Sequence, residues 1–548
     1  MTEPTAATVA TATTAPAGVP GDSPFPIGDV RRWILDAPVA VPKKYDNLVI
    51  TQNFDLNQGI KFLGNDTIED NVVSRYLKEQ LGVYYKPKWV CKGPESCPTA
   101  WSTAMASDDL PEYFTWLGGE YLGKLLDADR LEDITDVWNA TASDLTKKHK
   151  DWPNGQIWVP VTKGGRAFGL AFSNGGYAAH DSLLWVRKDW LDELNLKMPD
   201  TIEELYNVAK TFKDKKKLTM GISAAGQEGM VTWSSSLDTF FGAYGVMPTY
   251  WVKGSDGKLV YGSTLPGNVQ ALEELAKWYK DGLFEAEFMA KGAAKAAENL
   301  AGNKAGMYFA PSWSPGWPLP DSKKNDPKAD WVSGRVPAGP DGKRGRAAFK
   351  LAGMTCAFQK GIDRTKIEAV INHLNWIYDT KEASIVNSHM LVEGVDYVVE
   401  NGEFKAGIGT SATFYEGGAG YPTWWYPAMD EDDAKKREQL LKMDPKTLNP
   451  YIQYSLKDPD GVTAKTQQAM ALKFKTMEDQ IVDQYLGAPT PTMSEAGARL
   501  GKLENETYVK IITGGASVSE WEKFVSDWKK QGGDKITEEV NAWYAARQ

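Results

Sequence analysis

The stretch Leu184–Lys213, LWVRKDWLDELNLKMPDTIEELYNVAKTFK, reads as a strand end, a short helix, a proline break and a second, capped helix. Leu183, Leu184, Trp185 and Val186 form a short apolar run that stops at Arg187-Lys188-Asp189. Pro199 breaks the chain, and Thr201 with Glu204 three residues on forms a capping box. Ile202, Leu205, Tyr206, Ala209 and Phe212 then recur at helical spacing, which predicts one buried face and an opposite face carrying Glu203, Glu204 and Lys210. Strand and helix therefore alternate here, the signature of an α/β architecture.

Working outward, the same alternation continues. Leu48–Gln52 predicts a first strand followed by a loop at Asn53-Phe54-Asp55, and Ile68, Val72, Val73, Tyr76 and Leu77 mark a helix over 68–81. Tyr84–Val90 (YYKPKWV) predicts a second strand and Ser107–Trp116 (SDDLPEYFTW) a third. A helix over Val269–Asp281 closes on Gly282, and Asn303–Trp313 (NKAGMYFAPSW) carries a further strand. Phe349–Gln359 (FKLAGMTCAFQ) reads as a strand returning to the first unit, with a hinge at Arg346–Leu351. Ile367–Tyr378 carries a continuous apolar stripe and predicts a helix.

Composition narrows the function classes. A chain of 548 residues with 42% hydrophobic and 24% charged residues suits two or more folded units. A net charge of −10 argues against general nucleic-acid binding, which needs clustered cations. No uninterrupted apolar run approaches the length of a spanning helix. The 21 tryptophans are the compositional anomaly: each is either core packing or a flat platform for the C–H face of a pyranose ring. No G-x-S-x-G, H-E-x-x-H or Walker A pattern occurs, and His149, His180, His373 and His389 lack metal-ligand spacing. No catalytic residue, metal or cofactor is expected. Cys91 and Cys97 flank a Gly-Pro turn and are either bridged or free, whereas Cys356 sits in an apolar run and is expected buried.

The WVRKDWLDELNLKMPDTIEEL segment closely resembles the one shared by extracellular solute-binding proteins of bacterial ABC sugar importers. WYKDGL at 278–283, NKAGMYFAPSW, the Leu391–Lys405 hairpin and the SEWEKFVSDWKKQGG tail resemble the longer members, which include alginate-binding proteins. The resemblance implies a two-lobed fold with a hinge and a ligand cleft: a tether and lead-in over 1–40, the first lobe over 41–182, most of the second over 183–345, and a return with a helical region over 346–548. It further implies a monomeric receptor that catalyses nothing, captures an oligosaccharide and hands it to a membrane permease. Two alternatives stand beside this, a carbohydrate hydrolase or lyase and a polysaccharide-gripping surface protein without a permease.

Thr2–Pro20 is rich in Thr, Ala and Pro and reads as a disordered tether. It belongs either to a cytosolic protein with a tail or to a cell-surface lipoprotein whose signal segment and lipid-bearing Cys are absent from this chain, leaving that lipid as its one membrane contact. The resemblance favours the lipoprotein. Many long members place a calcium loop after the capped helix, but Lys213–Ser223 (KDKKKLTMGIS) offers one carboxylate among lysines, so no calcium is expected there.

Loop placement nominates the contacts. Trp233, Trp313, Trp317, Trp424 and Trp425 are the candidate platforms, the last two in YEGGAGYPTWWYP, where packing across the interlobe seam is the rival explanation. Asp55, Asn65, Asp66, Glu120, Arg166, Lys350 and Glu416 are candidate polar partners. The acidic balance favours a neutral sugar, while the basic run Lys343, Arg344, Arg346 and Lys350 keeps a uronic-acid ligand open.

Overall fold

A computed structural model describes residues 43–56, 65–92, 97–115, 117–144, 146–147, 155–172, 181–348, 354–378, 397–400, 403–406 and 461–547. Two sheets organise it. The first has five strands in the order Val83–Lys92, Leu48–Leu56, Tyr113–Phe114, Met354–Phe358, Leu170–Phe172. Leu48–Leu56 runs parallel to Val83–Lys92 from Leu48↔Val83 to Leu56↔Lys92, with an irregularity between Gln52 and Asn53. Met354–Phe358 is antiparallel to both its neighbours. The chain thus leaves this sheet after residue 172 and returns to it at 354, as the return strand expected at Phe349–Gln359 requires.

The second sheet is Met307–Ala310, Leu183–Arg187, Trp331–Gly334, with antiparallel pairing on both sides of the central strand. Every residue of Leu183–Arg187 is buried, which explains why the run reads as continuously apolar rather than alternating. Its last member, Arg187, is fully enclosed by Asp189 (2.6 Å), Asp326 (2.7 Å) and Asn303 (2.8 Å), and lies over the Trp190 ring.

The capped helix forms over Ile202–Lys216 as its sequence predicts. The Glu204 N–H donates to Thr201 Oγ1 at 3.2 Å, and Glu204 Oε2 accepts from the N–H groups of Asp200 and Thr201. Its buried face is Ile202, Leu205, Val208, Ala209 and Phe212. Thr201→Ala is expected to cost about 1 kcal/mol, read as a lower urea midpoint at unchanged m-value.

Two boundaries shift for physical reasons. The first helix starts at Val72 rather than Ile68, because Asn71 and Ser74 cap it reciprocally: the Ser74 N–H donates to Asn71 Oδ1 (3.1 Å) and the Asn71 N–H to Ser74 Oγ (2.9 Å). Asn53–Asp55 is not a loop but the continuation of the first strand to Leu56. The buried Asn53 amide donates to Thr115 O (2.8 Å) and accepts from the Thr115 N–H (2.9 Å), so it works as a cross-strand clamp.

Three helices end the chain: Pro491–Ile512, Glu520–Trp528 and Asp534–Ala545. They share one core with residues 184–309; Tyr508 stacks on Phe241 (5.7 Å) and Trp528 on Tyr261 (4.7 Å). Ala488 instead packs into the Trp101–Leu126 cluster beside the first sheet, and a Cβ on Gly123 would meet Ser494 Oγ at 2.9 Å. The C-terminal region therefore touches both halves. Cys91 and Cys97 form a disulfide with Cα atoms 5.0 Å apart, tying an edge strand to the Cys97–Ser107 helix; Cys356 is buried and lies outside it.

Candidate functional site

Three of the five nominated tryptophans converge. The segment after Met307–Ala310 turns tightly: Ser314 Oγ donates to Pro311 O (2.7 Å), the Gly316 N–H to Trp313 O (2.9 Å) and the Trp317 N–H to Ser314 O (3.1 Å). Trp313 and Trp317 flank this turn, and the Trp317–Pro318 bond is cis. Trp233 arrives on an irregular segment fixed by the Ala225 N–H on Ser235 O (2.8 Å) and the Leu237 N–H on Met230 O (3.0 Å). Trp233 lies 5.9 Å from Trp313 with planes 25° apart and 5.4 Å from Trp317 at 31°; Trp313 and Trp317 are 6.3 Å apart.

The three ring centroids form a nearly equilateral triangle, with planes 25° to 37° apart. Trp233 is backed by Ala225, Ala293 and Ala296, and it is half-buried like Trp313, whereas Trp317 is 36% exposed. Trp317 is thus the most exposed of three aromatic rings gathered at one place, and clustered aromatic surface of this kind suits contact with the apolar face of a ring.

Buried polar groups follow Trp233 along the chain. Ser234 and Ser235 bury hydroxyls with no hydrogen-bond partner. Asp238 is buried and accepts from Ser182 Oγ (3.1 Å) and the Ala347 N–H (2.8 Å). Burial raises its pKa against the hydrogen bonds from Ser236, Ala347 and Ser182. The Ser-Ser-Ser-Leu-Asp run after Trp233 is the sequence signal for this group, and it went unused among the candidates.

The other nominated residues are dispersed. Asn65 is exposed, and Asp66 pairs with Arg75 at 2.9 Å. Arg166 is exposed on a two-residue strand and pairs with Asp133 and, at 3.0 Å, with Asp136. Partial burial opposes ionisation of Asp133, but the Arg166 guanidinium and the Thr135 hydroxyl and N–H outweigh it and lower its pKa. Asp55 lies near the end of the first strand and Glu120 in the first turn of Gly119–Asp127; their side chains fall outside the described residues, as do Lys350, Glu416, Trp424 and Trp425 entirely. Of the basic run, Arg344 turns inward to Val336 O (2.6 Å) and pairs with Asp200 (2.7 Å), and Arg346 is fully buried. These two guanidiniums are committed to the protein and do not line an open basic cleft.

Residues 85–378, more than half of the chain, match the family of bacterial extracellular solute-binding proteins. The chain belongs to that family. The polygalacturonan/rhamnogalacturonan-binding protein YtcQ of Bacillus subtilis (strain 168) is 25% identical over 367 residues, 65% of this chain and 66% of its own length. Lipoprotein LipO of the same organism is 24% identical over 378 residues, 66% of this chain and 68% of its own. This solute-binding protein therefore spans about two thirds of the length of the curated relatives it matches. Among solved structures, the alginate-binding protein AlgQ2, crystallised without calcium ion, aligns with a TM-score of 0.63 at 16% identity over 93% of this chain and 100% of its own. The ABC-transporter substrate-binding protein FusA of S. pneumoniae, in complex with kestose, aligns at 0.61 and 14% identity over 91% and 100%. Likeness at such identities establishes the fold, and this solute-binding protein has the two-lobed periplasmic-binding-protein fold.

Proposed function

We propose that this solute-binding protein is the receptor of an ABC importer, capturing an oligosaccharide outside the cell and delivering it unchanged to the permease. The observation that carries this is the Trp233–Trp313–Trp317 cluster, with one exposed ring braced by two others. A receptor needs exposed, preorganised aromatic surface and no nucleophile or acid–base pair. Among the described residues no group of three or more His, Cys, Asp or Glu side chains is placed to hold a metal ion, and no described helix is long and apolar enough to cross a membrane.

In this reading the first lobe spans 41–182, the second 183–345, and the chain from 346 returns across the hinge before its last helices contact both. Asp55, Asn65, Asp66, Glu120, Arg166, Lys350 and Glu416 remain the proposed polar partners, and Trp424 and Trp425 the proposed further platforms. The protein acts as a monomer, tethered outside the cell by a lipid anchor, and contacts no nucleic acid.

A thermal-shift panel tests the proposal with oligogalacturonides, rhamnogalacturonan fragments, alginate oligomers and neutral fructo- and malto-oligosaccharides. A true ligand at about 100 times its Kd stabilises by about 2.7 kcal/mol, and chromatography must return it intact. Shortened product would make the protein an enzyme. No shift with any sugar would sink the reading.

A further inference from the structure

Trp233 has a polar rim on the turn that precedes it. Its neighbour Thr232 donates from Oγ1 to Glu228 Oε2 at 2.7 Å. Gln227 and Glu228 are exposed, and a Cβ on Gly292 would meet Glu228 Oε1 at 2.6 Å and Gln227 Oε1 at 3.4 Å. Gly292 directly precedes Ala293, one of the alanines packed against Trp233. The Glu228 carboxylate is therefore tied to the surroundings of that ring from two sides. Backbone bonds fix the turn that carries it. The Gly226 N–H donates to Phe288 O and Lys291 O (3.1 Å each) and the Gln227 N–H to Lys291 O (3.2 Å). Gly229, at φ 101°, closes the turn onto Gly226 O (3.2 Å). Glu228 is thus presented from a braced turn, at little ordering cost to a ligand.

The charge near this rim is one-sided. Among the described residues no cation pairs with Glu228. Lys291, on the segment that anchors the turn, pairs with Glu285, whose other oxygen accepts from Asn299 Nδ2 at 3.0 Å. Lys295 pairs with Glu298 at 2.7 Å. On the side of the Trp313–Trp317 turn, Lys465 belongs to the helix Val462–Lys475 and is held by Asp330 at 2.7 Å. Lys323 and Lys324 stand in the last turn of Leu319–Asn325, the end of that helix away from Trp317. The cations that could neutralise an acidic ligand are thus paired or displaced, while one carboxylate stays open.

We propose that Glu228 is the specificity residue of this platform: it accepts hydroxyl hydrogens from a neutral sugar stacked on the tryptophans and turns away a uronic acid. A pyranose on an aromatic face leaves its hydroxyl rim to the polar groups around that face. A carboxylate is the strongest acceptor a side chain offers such a hydroxyl, because the bond is charge-assisted. Gln227 beside it can donate and accept through its carboxamide. A uronate would bring its own negative charge to the same place, and like charges repel more strongly beside apolar rings, where the effective dielectric falls. The ligand class is therefore a neutral oligosaccharide, in contrast to the polygalacturonan named for the relative YtcQ.

The inference rests on the receptor reading, and calorimetry on the full chain separates the two. The probes are the tightest-binding sugar of the panel above and its matched partner, differing only in whether C6 is an alcohol or a carboxylate. Wild type should prefer the alcohol by about tenfold or more. Glu228→Gln, which keeps the size of the side chain and an acceptor for Thr232, should weaken the neutral sugar about tenfold and narrow the preference to about threefold. Gly292→Ala crowds Glu228 Oε1 but leaves its charge, so it should weaken the neutral sugar while still disfavouring the uronate. Added salt should shrink the preference in wild type and barely alter it in Glu228→Gln. A uronate as the tightest ligand, or neutral-sugar affinity unchanged in Glu228→Gln, would overturn the assignment and leave the receptor standing. A panel with no ligand at all would sink the receptor reading and this assignment with it.

Discussion

Trp317→Ala is expected to weaken binding of whichever oligosaccharide the thermal-shift panel identifies by about 2–3 kcal/mol, roughly 30- to 150-fold, with little change in stability. The asymmetry follows from exposure. Trp317 is the outermost ring of the cluster, so its removal takes the stacking face from the ligand and leaves little cavity behind. Trp233→Ala should lower affinity less directly and melting temperature more, because its ring is braced by Ala225, Ala293 and Ala296 and in turn braces Trp317 at 5.4 Å. The two effects should not add: with Trp233 gone, Trp317 is already misaligned, so the double variant loses less than the sum of the singles. Trp317→Phe keeps a ring face and should recover part of the loss. Calorimetry on the four variants and the wild type decides the matter, and unchanged affinity in Trp317→Ala would remove the cluster from the site.

What the sequence disclosed follows physical range. The Thr201–Glu204 cap, the Ile202–Phe212 stripe and the apolar Leu183–Val186 strand depend on neighbours within a turn or a strand, and each appears where local spacing puts it. Trp313 and Trp317 were legible for the same reason, since both flank one short proline-rich turn after a strand. Asn53 misled because its polarity marks a loop when only adjacent residues are considered; its partner Thr115 lies 62 positions away and makes it a buried clamp. Arg346 is the stronger case. As one of several neighbouring cations it resembles a basic patch, yet Asp181 lies 165 residues off and the helix bearing Lys473 well over a hundred in the other direction. No spacing rule links such positions, so a surface charge and a buried knot look alike until the chain is folded. Arg166 and Asp66 are the converse, charges whose partners are neighbouring ions rather than the aromatic cluster.

Glu504→Gln is expected to stabilise the protein at pH 8 by on the order of 3 kcal/mol and to leave it nearly unchanged below pH 4.5. Glu504 is buried on the Pro491–Ile512 helix, accepting from Ser263 Oγ and Tyr261 O–H at 2.9 Å each, and burial, against those bonds, raises its pKa from 4.5 to about 7. The folded state therefore holds a proton that the unfolded chain releases. The stabilisation from that proton is complete below the unfolded value of 4.5 and is lost as pH rises through 7. Gln cannot ionise, so it escapes the loss while keeping an acceptor oxygen. His373 acts with the opposite sign. It is buried against Tyr85 O–H at 3.0 Å, and burial lowers its pKa from 6.5 to about 3, so its neutral form supports the fold above 6.5 and that support fades as pH falls toward 3. Between 4.5 and 6.5 the two slopes oppose one another, one proton each way. Wild-type stability should be flat there and decline from 6.5 to 7, whereas Glu504→Gln should climb steadily to pH 6.5 and then level off. The two groups sit in different cores, His373 packed beside the first sheet and Glu504 under the C-terminal helices. Cancellation in a single melting transition therefore also requires the halves to unfold together. Two transitions, each with its own slope, would separate them, and parallel pH profiles for wild type and variant would show that Glu504 is ionised in the folded protein.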